Sequence, residues 1–425
     1  MSGDARADSV MRAAAPGAGE TRSLSGELLV VAVEASADLH GAAVLRELKL
    51  MAPGLRAFGA AGPLMRAEGC EALVRAETLG VMGLVEVLPA IPRLLRALST
   101  LATAARKRRP RLALLIDSPD FNLRLARRLK RVNVPVAYFI GPSVWAWRTY
   151  RVRQIARDIL RMLVILPFER AFYAEHGVEA IYVGNPLADR LAVDQDGLHT
   201  NHRDSLDDDT RARPARKREL GLDPARPLLA LLPGSRKQEI ARLWKPLLGA
   251  AQLLAARDPS LQFAVPVAPT IDLAALRDSA RDAKLPLAFL EGRAPELLAA
   301  SDAAVVASGT ATLESALQLC PTVVVYRLSW LSYAIARMLV RVKFIALPNL
   351  LAQRGIVPEL IQAACTPETI AESAQTLLAR GGVREGMRAA LLAVRDEIAP
   401  AGAANVARRV AEEISGLLTG ESVIR

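Results

Sequence analysis

Four short stretches combine residue types and spacings that could do chemistry. In LLIDSPDFN, Leu114–Asn122, an apolar run ends on Asp117 and a Ser-Pro turn follows. A carboxylate where a parallel strand gives way to its loop stands where such folds keep their chemistry, and there it can act as a general base. The other reading of Asp117 is a turn residue, and Asp120, just before a helix, reads as a helix cap. In LLPGSRKQEI, Leu231–Ile240, a strand delivers Gly234, Ser235 and Arg236 to a helix start. Glycine lets the backbone approach a ligand closely, free N–H groups at the helix start suit a phosphate, and Arg236 can add a bidentate contact. Many strand-to-helix turns carry Gly and Ser without binding anything. In ASGTATLESAL, Ala307–Leu317, Ser308, Gly309, Thr310 and Thr312 crowd another such turn, fit for a second part of the same diphosphate. Glu314 follows, where a carboxylate can accept the hydroxyls of a ribose or simply favour the helix dipole. In VEASADLHG, Glu34, Ser36 and Asp38 sit at one more helix start, facing the same cleft if the first domain is doubly wound. Ordinary capping is the alternative there.

The elements that must position these residues read as an alternation. Leu28–Val33 is a short buried strand; Ser36 and Asp38 start a helix on which Ala42, Val44, Leu45 and Leu48 recur at helical spacing. Leu112–Ile116 repeats the plan, with a helix from about Phe121. VPVAYFIGPSVWAWR and RMLVILPFERAFY add two more strands, and the alternation restarts at PLLALLPGSR and runs on through LQFAVPVAP, AAVVASGTATLE and PTVVVYRL. Strands alternating with helices imply α/β architecture with parallel sheets covered on both faces. The expected division is an unstructured extension over 1–26, a first Rossmann-like domain over 27–192, a charged linker or solvated insertion over 193–218, and a second Rossmann-like domain with closing helices over 219–425. The acidic run Asp207–Asp209 falls in the charged stretch and is expected to be a solvated loop, since charge runs without apolar context rarely fold.

Composition narrows the class. A chain of 425 residues holds two or three domains of roughly 100–200 residues each. A hydrophobic fraction of 52% is ample for two cores, and with only 4% aromatics those cores are filled by Ala, Leu and Val. The net charge of +11 suits an anionic partner: nucleic acid, an anionic membrane or a phosphorylated substrate. Aromatics are not interleaved with the basic runs Arg106–Arg111 and Arg211–Arg218, which argues against nucleic acid. Those runs read instead as a membrane-facing surface or as solvated loops. Cys70, Cys320 and Cys365 are not paired at metal spacing, so neither a disulfide scaffold nor a zinc site is expected and a reducing compartment is the default. The N-terminus lacks the apolar stretch of about 7–15 residues of a signal peptide, and no transmembrane helix is expected. Val81–Leu98 and Ser329–Arg354 are apolar with scattered Arg and Lys, as in core helices or in segments that lie on anionic lipid. There is no GxGxxG after a strand, no P-loop and no GxSxG elbow, which counts against nicotinamide enzymes, P-loop ATPases and α/β-hydrolases.

Taken together, EASADLHGA, VMGLVEVLP, IDSPDFN, GPSVWAWR, LPFERAFY, GNPLAD, LPGSR, ASGTATLE and LPNLLAQRGIVPEL resemble the lipid-A-disaccharide synthase family, in that family's order and along most of the chain from Leu28. PSVWAWR and LPNLLA are specific to it, whereas LPGSR and SGTATLE also occur in related UDP-sugar transferases. The resemblance implies a GT-B glycosyltransferase, two Rossmann-like domains facing a cleft. It implies transfer of 2,3-diacylglucosamine from UDP to 2,3-diacylglucosamine 1-phosphate (lipid X), giving a β(1→6) disaccharide 1-phosphate and UDP. It implies work without a metal or cofactor, peripherally on the cytoplasmic face of the anionic inner membrane of Gram-negative bacteria; whether the chain forms a homodimer is left open. On the same footing, Asp117 is the base that takes the proton of the acceptor 6-hydroxyl. Arg236 with the Gly234–Ser235 backbone clamps the leaving diphosphate, Ser308, Gly309 and Thr310 complete the UDP site with Glu314 on the ribose, and Asn349 and Arg354 border it.

The chain departs from the family pattern at four places. Val33 and Ala37 stand where the first turn carries glycines, Asn185 where a His is usual, and Gly355 where an acid is usual. If the first turn needed positive φ, Val33 would be costly there, so its backbone is expected not to need it. Two rival readings remain: another GT-B enzyme on UDP-N-acetylglucosamine, against which PSVWAWR speaks, and a UDP-sugar or lipid binder without turnover, against which Asp117 and Arg236 together speak.

Overall fold

The computed structural model describes residues 25–79, 87–147, 149–189, 206–339, 342–379, 381–399 and 405–420. The strands of the first half are β1 Ser25–Val31, β2 Gly54–Ala61, β3 Glu71–Arg75, β4 Leu112–Ile116, β5 Val136–Phe139, β6 Arg161–Val164 and β7 Ala180–Tyr182. They form one sheet in the order β3-β2-β1-β4-β5-β6-β7. The second half supplies β8 Leu228–Leu232, β9 Gln262–Val267, β10 Leu287–Glu291, β11 Ala303–Ala307, β12 Thr322–Tyr326 and β13 Glu359–Ile361, in the order β10-β9-β8-β11-β12-β13. Every paired strand runs parallel to its neighbour.

The central strands are apolar throughout because both faces of each sheet are covered. In β4, Ala113 and Leu115 point into one core layer and Leu112, Leu114 and Ile116 into the other. In β8, Leu229 and Leu231 face one layer, and Leu228, Ala230 and Leu232 the opposite one. A period of two on a fully apolar strand therefore joins four core layers into two three-layer domains.

In each sheet the strand order reverses once, between β1 and β4 in the first and between β8 and β11 in the second. Beyond the carboxyl ends of strands at such a reversal the connections diverge to opposite faces and leave a crevice. The stretches singled out for chemistry leave those four strands.

Three expectations about organisation change. Residues 206–219 of the charged segment form the helix Leu206–Glu219, not a solvated loop. Asp209 and Arg213 are buried and joined at 3.0 Å; Arg388 and Arg216 each reach Asp209 at 2.6 Å, and Lys217 reaches Asp302 at 2.7 Å. The helix folds because its buried charges are neutralised by one another and by Arg388 and Asp302 far along the chain, which local composition does not register. The other basic run is used internally in part: Arg108 pairs with Glu27 and Glu71 and covers the Phe58 ring, and Arg111 donates to the Leu418 carbonyl, while Arg106, Lys107 and Arg109 are exposed. Finally, the last helix, Val406–Thr419, returns to the first domain, where Val406, Val410, Ala411, Ile414 and Leu418 join its core. β1 starts at Ser25, and the extension before it lies outside the described residues.

Candidate active site

The first half of the site is the reversal between β1 and β4. β4 ends in a backbone that bulkier residues avoid: Asp117 has φ 51° and Ser118 φ 45°. Two side chains hold that turn. Tyr138 Oη donates to the Asp117 carbonyl at 2.5 Å, and Asn122 Nδ2 donates to the same oxygen at 2.8 Å. Ser118 Oγ donates at 2.9 Å to Glu34 Oε1, which ties the end of β4 to the end of β1. One strand over, Ile140 follows β5 at φ 60°, a costly conformation for a β-branched residue. Left-handed backbone at three non-glycine residues after two adjacent strands marks a region where position is held against local preference. Asp117 is half-buried. Burial lifts its carboxyl above the ordinary range and the nearby Glu34 charge adds to the rise, while a hydrogen bond from the Ser118 N–H opposes it. A carboxylate so raised is a stronger base than one in open water.

The second half is the reversal between β8 and β11. After β8, Gly234 takes φ 107°, which a side chain would rarely allow, and Ser235 and Arg236 follow, exposed, before the helix Lys237–Arg257. Thr270 Oγ1, beyond β9, donates to the Ser235 carbonyl at 2.9 Å and fixes the loop from the side. After β11, Gly309 at φ 150° leads into the helix Thr310–Leu317, with Gly309 and Thr310 exposed and Ser308 and Glu314 half-buried. Two helix N-termini on adjacent strands thus present backbone N–H groups at one crevice, a geometry suited to paired phosphates. Arg354 is exposed in the loop that leads toward β13.

Three expected site residues are used otherwise. Asp38 does not cap its own helix; its carboxylate accepts from the N–H groups of Gly62 at 2.8 Å, Leu64 at 2.9 Å and Met65 at 3.1 Å, capping the helix Pro63–Ala67. Thr312 is buried and donates to the Gly309 carbonyl at 2.7 Å, closing the turn from inside. Asn349 is buried and fully engaged, donating to the Val357 carbonyl and Glu359 and accepting from the N–H groups of Ile356 and Val357. It shapes the loop that carries Arg354. Asp120, in the first turn of the helix Pro119–Lys130, is paired with Arg151 at 2.5 Å. Glu34 gains a role through Ser118, and Ser36 is exposed in the first turn of the helix Ala35–Met51.

The departures from the family pattern are accommodated. Val33 and Ala37 have no positive φ, as expected from their side chains. Asn185 Nδ2 donates to the Ile165 carbonyl at 3.1 Å, and its Oδ1 accepts from the Leu187 N–H at 3.0 Å. A Cβ on Gly355 would meet only Phe344, at 3.6 Å, so a side chain fits there.

Sequence reasoning missed Glu169. It is buried at the start of the helix Pro167–Glu175, accepting from Trp145 Nε1 and from the Leu166 N–H, each at 3.1 Å. Trp145 lies edge-on to Phe168 at 5.0 Å, and both pack on the second domain's core, which Leu166 joins. The carboxyl edge of the first sheet is therefore the side turned toward the second domain, and Glu169 fixes the loop at that joint. Burial pushes its carboxyl up to about 7, against the hydrogen bonds from Leu166, Trp145 and Ile165, which lower it. The unfolded chain releases this proton near the ordinary value of 4.5. Between these values the native state binds more protons than the unfolded state, so stability falls as pH rises through that window. The expected effect is roughly 3 kcal/mol across the window. Urea unfolding at pH 5 and pH 8 measures it: in Glu169→Gln the loss of stability from low to high pH should flatten, and an unchanged slope would place the effect elsewhere.

Comparison with known proteins adds the family. Residues 28–398 match the family model described as lipid-A-disaccharide synthetase. The lipid-A-disaccharide synthase of Anaeromyxobacter dehalogenans (strain 2CP-C) is 50% identical over 396 residues, 93% of this chain and 98% of the relative. That of Myxococcus xanthus (strain DK1622) is 46% identical over 391 residues, 92% and 97% of the two chains. Among solved structures, the UDP-GlcNAc 2-epimerase of Neisseria meningitidis bound to UDP-GlcNAc superposes with a TM-score of 0.60 at 14% identity, covering 92% of this chain and 99% of its own. CalG4, the calicheamicin glycosyltransferase, gives 0.55 at 16% identity, covering 93% and 98%. Those two show the shared fold, the GT-B arrangement of two parallel-sheet domains. With the family model spanning most of its length and relatives at half its residues identical, the chain belongs to the lipid-A-disaccharide synthase family of glycosyltransferases.

Proposed function

We propose that this chain joins UDP-2,3-diacylglucosamine to 2,3-diacylglucosamine 1-phosphate by a single displacement that inverts the sugar carbon. The observation that carries this reading is positional. The reversal of the first sheet holds a raised-pKa carboxylate, Asp117, and the reversal of the second holds two N–H-rich turns with Arg236. Asp117 takes the proton of the acceptor 6-hydroxyl as that oxygen bonds to the donor C1. The C1–O bond to UDP breaks, and its electron pair leaves on the diphosphate. The charge developing there is met by the turns at Gly234–Arg236 and Ser308–Thr310 and by the Arg236 guanidinium, donors that need no reorganisation at the moment of transfer. Glu314 takes the ribose hydroxyls, and Arg354 borders the acceptor side. The product's anomeric proton coupling, read by NMR, tests the displacement: an α-linked donor should yield a β linkage. Retained configuration would exclude a single inverting displacement and with it the in-line base role proposed for Asp117.

The substrates are lipids, and the reading includes peripheral work on the cytoplasmic face of an anionic membrane. Among the described residues no helix is long and apolar enough to cross a bilayer. The helix Trp330–Leu339 leaves Trp330 80% and Met338 85% exposed; Arg337 on the same helix and Lys343 after it are exposed too. On the first domain, Ile91 and Leu95 are exposed on the helix Val87–Arg108; the stretch just before it, with the start of the apolar segment Val81–Leu98, lies outside the described residues. Exposed apolar side chains on a segment that also carries exposed cations suit an interface with lipid. Flotation with phosphatidylglycerol vesicles should show binding that weakens with salt and is reduced in Trp330→Ala. Absence of binding would leave these side chains without the proposed partner.

A further inference from the structure

Resting on the donor-site reading above, we infer that Glu239 is an internal competitor of the donor diphosphate, a carboxylate that occupies the phosphate nest when UDP is absent and speeds UDP release after transfer. Three contacts place it there. Its Oε2 accepts from the Ser235 N–H at 3.1 Å and from the Arg236 N–H at 3.3 Å. Its Oε1 accepts from Arg236 Nη1 at 2.8 Å. A Cβ on Gly234 would fall 2.4 Å from Glu239 Oε2, so the space that this glycine leaves open is the space the carboxylate fills.

These are the donors that the leaving diphosphate would use. A backbone N–H carries one hydrogen and makes one good bond, and Arg236 points one fork at the carboxylate. A phosphate oxygen at the same N–H groups therefore displaces Glu239, and the two anions repel each other if both stay. The carboxylate is half-buried while Arg236 lies open to solvent, so the side chain can swing out into water without disturbing the core. The exchange works in both directions. A diphosphate displaces the carboxylate by its higher charge and the second helix terminus, and a carboxylate ready to return lowers the affinity of the nest for UDP and so speeds its departure. A residue at the third position of a helix that reaches back to the N–H groups before it is common as a cap. Here the cap is made over a loop with a positive-φ glycine and an arginine, and a purely structural cap predicts the opposite sign in the test below.

The test is UDP binding by calorimetry on the wild type, Glu239→Gln and Arg236→Ala. In Glu239→Gln the competing charge is gone, and UDP should bind about tenfold more tightly, with UDP becoming a correspondingly stronger product inhibitor. Thermal stability of this variant should drop slightly as the cap weakens, so affinity and stability move in opposite directions. Unchanged or weaker UDP binding in Glu239→Gln, while Arg236→Ala loses UDP, would overturn the competitor role and leave Glu239 as a device that orders the loop. If Arg236→Ala binds UDP as the wild type does, the donor-site reading itself falls, and this inference with it.

Discussion

Asp117→Asn should lower turnover by about 10²–10⁴-fold, the usual worth of a positioned general base, with UDP affinity nearly unchanged. The change removes the base and little else. Asparagine tolerates left-handed backbone, so φ 51° is kept, and the Tyr138 and Asn122 bonds go to the backbone carbonyl rather than to the replaced side chain. The pH dependence gives an independent check. Burial and the Glu34 charge hold the Asp117 carboxyl above the ordinary range, and a base must be ionised to act. The acid limb of kcat/KM should therefore lie above that of an ordinary aspartate, and Glu34→Gln should shift it downward, because one of the two causes of the rise is gone. An acid limb that ignores Glu34 would separate the two carboxylates.

Arg236→Ala should cost about 10²–10³ in kcat/KM, comparable to removing one donor from a site of developing negative charge. The side chain is 80% exposed and its carboxylate partner lies on the same helix turn, so the fold should not notice its loss. Arg236→Lys should recover only part of the activity, since an ammonium replaces the charge but not the planar fork. The distinguishing signature is a joint loss of UDP affinity and kcat/KM, whereas Asp117→Asn loses turnover alone. Full rescue by Lys would mean that charge matters there and bidentate geometry does not.

Much of the site is legible in the sequence because the carboxyl end of a buried parallel strand announces itself. Leu112–Ile116 and Leu228–Leu232 are uninterrupted apolar runs; Asp117 follows the first at once and Gly234 the second after one proline. What escapes is whatever depends on a partner far along the chain. Asp38 reads as a local cap and serves a helix 24 residues and more away. Asp209, Arg213 and Lys217 read as solvated because Arg388 and Asp302, which neutralise them, lie outside any local window. Asn349 reads as a rim residue, and its partners, only 7–10 residues on, form a loop whose closure the sequence does not disclose. Glu239 had a signal that composition alone leaves ambiguous: a glutamate three residues after the end of a Gly-Ser-Arg turn, at the position that reaches back to the helix start. Glu169 had a weaker one, a single acid in the apolar stretch LPFERAFY.

The most direct test of the reaction is product formation by the purified protein given UDP-2,3-diacylglucosamine and lipid X, with UDP release followed in time and the lipid products identified by mass spectrometry. The expected result is disaccharide 1-phosphate in equal amount to UDP, abolished in Asp117→Asn. UDP binding with no disaccharide from these two lipids, or equal turnover in the wild type and Asp117→Asn, would contradict it.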